Sequence, residues 1–109
     1  MRAMEVYRNG VLAGILTQEN RKSYVFRYTD TYVFDANAPA ISLTMPKTRA
    51  DYESEVLFPF FVNMLSEGVN RKLQSSLLKL DENDHFGFLL ATARYDTIGA
   101  VTVKPITEP

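Results

Sequence analysis

The sequence predicts an α+β fold: a curled, largely antiparallel sheet, in effect a partial barrel, with about three short helices. Two observations lead there. Apolar residues alternate with polar ones through the first third of the 109-residue chain, and from Pro59 onward they recur at steps of three and four. A strand-like "GAVTV" near the end returns the chain to the sheet. No linker, repeat or low-complexity stretch divides it, so residues 1–109 read as a single domain.

The opening hairpin is the firmest element. Asn9-Gly10 separates "MEVYR" from "VLAGILT", and both residues tolerate the positive φ that a two-residue hairpin turn demands. A regular ladder from that turn sets Arg8 opposite Val11, Val6 opposite Ala13 and Met4 opposite Ile15. Met4, Val6, Ala13 and Ile15 would then share the buried face. After the polar "QENRK", the stretch "SYVFRY" alternates Tyr24, Phe26 and Tyr28 with Val25 and Arg27, a third strand suited to aromatic cross-strand pairs.

The middle of the chain carries weaker signals. "DTYVFDANAPA" admits a strand at Tyr32 to Phe34 or a helical turn, and the aromatic and β-branched residues favour the strand. "ISLTM" is strand-like up to Pro46, which cannot donate to a ladder. "KTRADYESE" is charged and lacks apolar periodicity, which predicts an exposed, mobile loop over Lys47 to Glu55.

Pro59 suits the first turn of a helix. Phe58, Phe61 and Leu65 then form one stripe, with Gly68 as the stop. Val69, Leu73, Leu77 and Leu80 form the stripe of a second helix. "DEND" offers N-caps for a third, whose apolar side holds Phe86, Leu89, Leu90 and Ala93.

Composition excludes several classes of function. Twelve basic against thirteen acidic residues leave a net charge of −1, so no basic excess draws the chain to nucleic acid. The absence of cysteine removes disulfides, thiolate metal sites and cysteine nucleophiles. The N-terminus lacks the apolar core of a signal peptide, and no run approaches the ~18 apolar residues of a membrane span. The expected location is the cytoplasm.

No catalytic set emerges. His85, the single histidine, has no second histidine or cysteine to complete a zinc site or a triad, and reads as a helix-start or surface residue. "NDHFG" resembles the Asp-Phe-Gly of protein kinases only with His85 interrupting it. Gly10 and Gly14 read as a turn glycine and a strand glycine rather than a phosphate loop. Glu53 and Glu55 lie in a solvated segment where a carboxylate makes a poor general acid. Expected, then, is a protein that is not an enzyme and binds no cofactor or metal.

Six blocks in order carry a family resemblance. "LFPFFVNMLSEG" resembles the "lppfFenLLPEG" motif of the N-terminal coupling domain of HipA-type bacterial serine/threonine kinases. "NGVLAGIL", "YVFRY", "PAISLTMP", "DHFGFLLA" and "GAVTVKP" match that domain's hairpin, third strand, "pLSlslP" segment, helix and closing strand. Departures are Ser66 in place of a usual proline, Val69 where a larger residue is common, and Arg94 where glycine is common.

The resemblance implies a non-catalytic module that packs on a HipA-type serine/threonine kinase core. It further implies either a free-standing, HipS-like antitoxin of a toxin–antitoxin system or the detached front end of a longer kinase. Met1 and the "ITEP" end favour the free-standing form. A DNA-binding antitoxin in the same complex is compatible with it; direct nucleic-acid or membrane binding is not expected. Phe58, Phe61 and Leu65 belong to the core. Phe60, Asn63, Met64 and the turn Ser66, Glu67, Gly68, Val69 and Asn70 lie off that stripe and are the candidate partner-binding residues. The alternatives are a structural or self-associating module that buries its Phe-rich face against a second copy, and an enzyme of unrecognised type.

Overall fold

The computed structural model describes residues 2–63, 76, 84–92, 97–98 and 100–106. Strands β1 (Arg2–Arg8), β2 (Val11–Asn20) and β3 (Ser23–Tyr28) come first, then α1 (Asp30–Phe34), β4 (Asp51–Ser54) and α2 (Pro59–Val62). Helix α3 (His85–Thr92) and strands β5 (Thr97–Ile98) and β6 (Val101–Pro105) follow. The strands form one antiparallel sheet in the order β4-β3-β2-β1-β6-β5. It is an open sheet, with β4 and β5 at its two ends.

Asn9 and Gly10 take φ of 51° and 79°, the positive values the turn requires. Arg8 faces Val11 as expected, but the regular ladder lasts only as far as Tyr7 and Leu12. A bulge inserts Ala13, so Val6 pairs with Gly14, Glu5 with Ile15 and Met4 with Leu16. The shift turns Ile15 away from the core and brings Leu16 in. Ala13 and Leu16 are both fully buried beside Met4 and Val6.

Three expectations in the middle of the chain are corrected. Tyr32 to Phe34 is not a strand but part of α1, because Thr29 caps the helix: its hydroxyl accepts the Tyr32 N–H, and Asp30 sits in the first turn. "ISLTM" is not a strand either. Met45 N–H donates to the Ser42 carbonyl at 3.1 Å and closes a turn that buries Ile41 and Met45 and leaves Leu43 in solvent. Within the expected mobile loop, Asp51–Ser54 is the edge strand β4, paired with Arg27 to Tyr24 and held by the Arg27–Asp51 ion pair.

Phe26, Tyr28 and Tyr32 build the aromatic centre of the core. Phe26 meets Tyr28 edge-on at 4.8 Å, and Tyr28 lies parallel to Tyr32 at 5.9 Å. Phe58 and Phe61 pack there too, as their helical spacing indicated, and Phe86 and Leu89 do so from α3. Phe88 is also buried, so α3 is enclosed on more than one side. Leu65, Ala93 and the stripe of Val69, Leu73, Leu77 and Leu80 lie outside the described residues; Ser76, within that stretch, is helical and exposed. The short β5, which lengthens the closing strand into a hairpin, had no apolar pattern to announce it.

Candidate partner-binding surface

Helix α2 begins where Pro59 supplies a preset φ and needs no N–H partner. One turn brings Phe58 and Phe61 inward and leaves Phe60 and Asn63 outward. Phe61 is fully buried, 5.9 Å from Phe26 and 5.3 Å from the Phe60 ring. Phe60 is half-buried and Asn63 is exposed at the C-cap. Phe58 and Phe61 are core residues as their spacing indicated, Asn63 is exposed, and Phe60 packs one edge against the core while the rest lines the surface.

Facing this helix is the irregular segment between α1 and β4, held by its backbone. Three tyrosine hydroxyls donate to its carbonyls. Tyr28 binds Met45 at 2.5 Å, Tyr32 binds Pro39 at 2.6 Å, and Tyr52 binds Pro46. The Tyr28 oxygen also accepts the Ile41 N–H at 3.1 Å. Burial pushes the Tyr28 hydroxyl up to about 12, because a phenolate there would lose its water. Lys47 adds a fourth tie, its ammonium donating to the Asp35 and Ala38 carbonyls beside the Tyr32 ring.

Between the two lies a cleft of about 330 Å³. Phe58, Pro59, Phe60 and Asn63 line one side, Ser42, Thr44 and Met45 another, and Tyr52 of β4 completes it. None of these residues is charged. Leu43, at the tip of the turn between two lining residues, is 100% exposed, and Val56, just before α2, is 65% exposed. Such a surface offers shape and apolar contact rather than acid–base chemistry.

A second polar assembly serves the fold. Arg2, Gln18 and Tyr24 sit side by side on β1, β2 and β3. Arg2 donates to Gln18 and, with both terminal nitrogens, to the Asp84 carboxylate at 2.9 and 3.1 Å. Gln18 donates to the Tyr24 hydroxyl at 3.0 Å. Asp84 also accepts the Gly87 N–H and so caps α3. The hydrogen-bonded guanidinium holds its carboxyl below the usual carboxylate range, against a smaller opposing effect of burial. Next to it, His85 occupies the first position of α3 and lines no wall of the cleft. Among the described residues, no three or more His, Asp or Glu side chains gather where they could hold a metal ion.

Of the candidate residues, Phe60 and Asn63 are brought together on the cleft wall. Met64, Ser66, Glu67, Gly68, Val69 and Asn70 lie outside the described residues. Sequence reasoning missed the opposite wall, Ser42, Thr44 and Tyr52, and with it Leu43. The alternating apolar residues of "ISLTM" imitate a strand, and a turn that throws one apolar residue outward has no distinct signature.

Comparison with known proteins gives a consistent picture. A family model described as the HipA N-terminal domain matches residues 4–104. An uncharacterized protein of Haemophilus influenzae is 28% identical over 104 residues, covering 95% of this chain and 92% of that protein. A protein of Sinorhizobium fredii named as the kinase Y4mE is 26% identical over 105 residues, and there the match spans 96% of this chain but 25% of the relative. Among solved structures, the N-terminal domain of HipA toxin superposes with a TM-score of 0.73 at 25% identity, over 100% of this chain and 96% of that one. Among the described residues, no helix is long and apolar enough to cross a membrane.

Proposed function

The chain belongs to the HipA N-terminal domain family, and from that premise we propose that it is a non-catalytic binding module that docks on a HipA-type serine/threonine kinase core and modulates it as an antitoxin. The observation that carries the reading is the match over residues 4–104 to a domain that, in the kinase-named relative, makes up 25% of a longer chain. The Haemophilus relative, 92% of which is covered, consists of little else and supports a free-standing form. The uncharged cleft beside Phe60 and Asn63 supports contact through shape rather than chemistry.

The proposal takes residues 1–109 as one domain, places it in the cytoplasm, and allows a DNA-binding antitoxin as a third component. Phe60 and Asn63, with Met64, Ser66, Glu67, Gly68, Val69 and Asn70, are the proposed partner-facing residues. Co-purification with the HipA-type kinase of the same genome tests it. The folded chain should bind that kinase and change its phosphorylation activity. Met64→Asp with Val69→Asp should weaken binding with little change in melting temperature. Failure of the folded wild-type chain either to bind or to alter the kinase would end the reading, as would turnover of a substrate by the chain alone. Self-association without any kinase, seen by light scattering, would favour a homo-oligomeric module instead.

A further inference from the structure

The geometry points to the Leu43 turn and its adjoining cleft as a two-way docking site for the kinase core. Leu43 would enter an apolar pocket of the kinase, and the cleft would receive an apolar side chain in return. The inference rests on the docking reading above and names a surface that performs it.

Leu43 is fully exposed although Ile41 and Met45, two residues to either side, are buried at 6% and 2% exposure. An apolar side chain presented so completely gains nothing within the chain itself. Its backbone is nonetheless firmly held, since Tyr28 grips both Ile41 and Met45 and Tyr52 grips Pro46. A turn ordered before contact loses little freedom on binding, which is the condition for a strong small anchor.

The surroundings select the partner. All eight residues lining the cleft are uncharged in a chain of which 23% is charged, and they include two Phe, one Tyr and one Met. Charge depletion with aromatic and Met enrichment is the composition of the buried centre of a protein interface. A phosphate backbone or an anionic membrane would call for Lys and Arg here, and the lining has neither. A protein partner is present in the family itself: in the kinase-named relative this domain adjoins three times its own length of polypeptide.

The test measures affinity of the full chain for the HipA-type kinase of the same genome, comparing wild type with Leu43→Asp, Thr44→Arg and the control Val11→Asp. Val11 is 56% exposed and lines no part of the cleft. Both cleft variants should bind about tenfold more weakly or worse, the control should bind as wild type does, and all should melt together. Wild-type binding by the two cleft variants overturns this inference and leaves the docking reading standing. A wild-type chain that binds no such kinase overturns both. Light scattering that shows self-association, abolished by Leu43→Asp, assigns the surface to a second copy and overturns the inference too. Should Leu43→Asp fail to fold, Thr44→Arg, a change at an exposed polar position, decides alone.

Discussion

Arg2 and Asp84, 82 positions apart, meet in a two-pronged ion pair at 2.9 and 3.1 Å that ties the first strand to the start of the last described helix. The same carboxylate accepts the Gly87 N–H, so a single side chain closes the helix end and anchors it to the sheet. Asp84→Ala removes both contacts and should cost about 1–2 kcal/mol, read as a lowered denaturant midpoint. Asp84 is held below its ordinary 3.8 in the folded state, so its contribution is present above that pH and is lost as the pH falls through the lowered value. Wild type and Asp84→Ala should therefore converge in stability in acid. A gap that persists unchanged at pH 2 would contradict this account.

Gly14 in β2 pairs with Tyr28 of β3 and has no room for a side chain. A methyl group there would clash with the Arg27 carbonyl and lie 2.7 Å from the Phe26 ring. The obstacle is backbone on one side and a fully buried ring on the other, so neither yields cheaply. Gly14→Ala should destabilise by about 3 kcal/mol. A variant that melts with the wild type would show that the strands separate more freely than this packing allows.

Tyr28 makes a prediction at alkaline pH. Burial raises its hydroxyl from 10.0 to about 12, so the folded chain keeps this proton longer than the unfolded chain does. Its stabilising effect is whole below about pH 10 and is lost as the pH climbs from there through 12, about 3 kcal/mol in all. Tyr28→Phe should lower stability at pH 7 by about 2 kcal/mol, since the Ile41 N–H and Met45 carbonyl lose their buried partner. The variant should also lose that part of the alkaline decline. Chemical denaturation at pH 7 and pH 11 checks both halves.

Phe60 and Phe61, adjacent in sequence, should behave oppositely. Phe61→Ala empties a fully buried site against Phe26 and should cost about 3–5 kcal/mol. Under the proposed docking, Phe60→Asp, at the half-buried cleft wall, should fall mainly on kinase binding and only mildly on melting temperature. Equal losses of stability would place Phe60 in the core and remove it from the interface.

How far the sequence announced this fold follows from the kind of signal each element carries. Asn9-Gly10 was legible because positive φ restricts the residues that can stand there. The bulge at Ala13 was not, because one extra residue in a ladder leaves the composition of both strands unchanged, yet it moves Ile15 out and Leu16 in. Strand β4 escaped because an edge strand needs few apolar residues, and its pairing with β3 is long-range. Helix α1 did carry a cap signal in Thr29-Asp30, outweighed by the strand preference of Tyr32 and Val33. The candidate site divides in the same way. Phe60 and Asn63 fell out of helical spacing, whereas Leu43 and Thr44 owe their position to hydroxyl bonds from Tyr28 and Tyr52, made across the fold.

The three tyrosines take hold of the segment by its carbonyl oxygens, which every amino acid supplies, and leave the side chains from Ser42 to Thr44 outside their grasp. Leu43 can therefore be exchanged while the path stays put, since the tip's own side-chain tie is Ser42 Oγ accepting the Thr44 N–H. Related chains could alter the apolar character of this face by substitution at that one position, on a chassis that need not change to permit it.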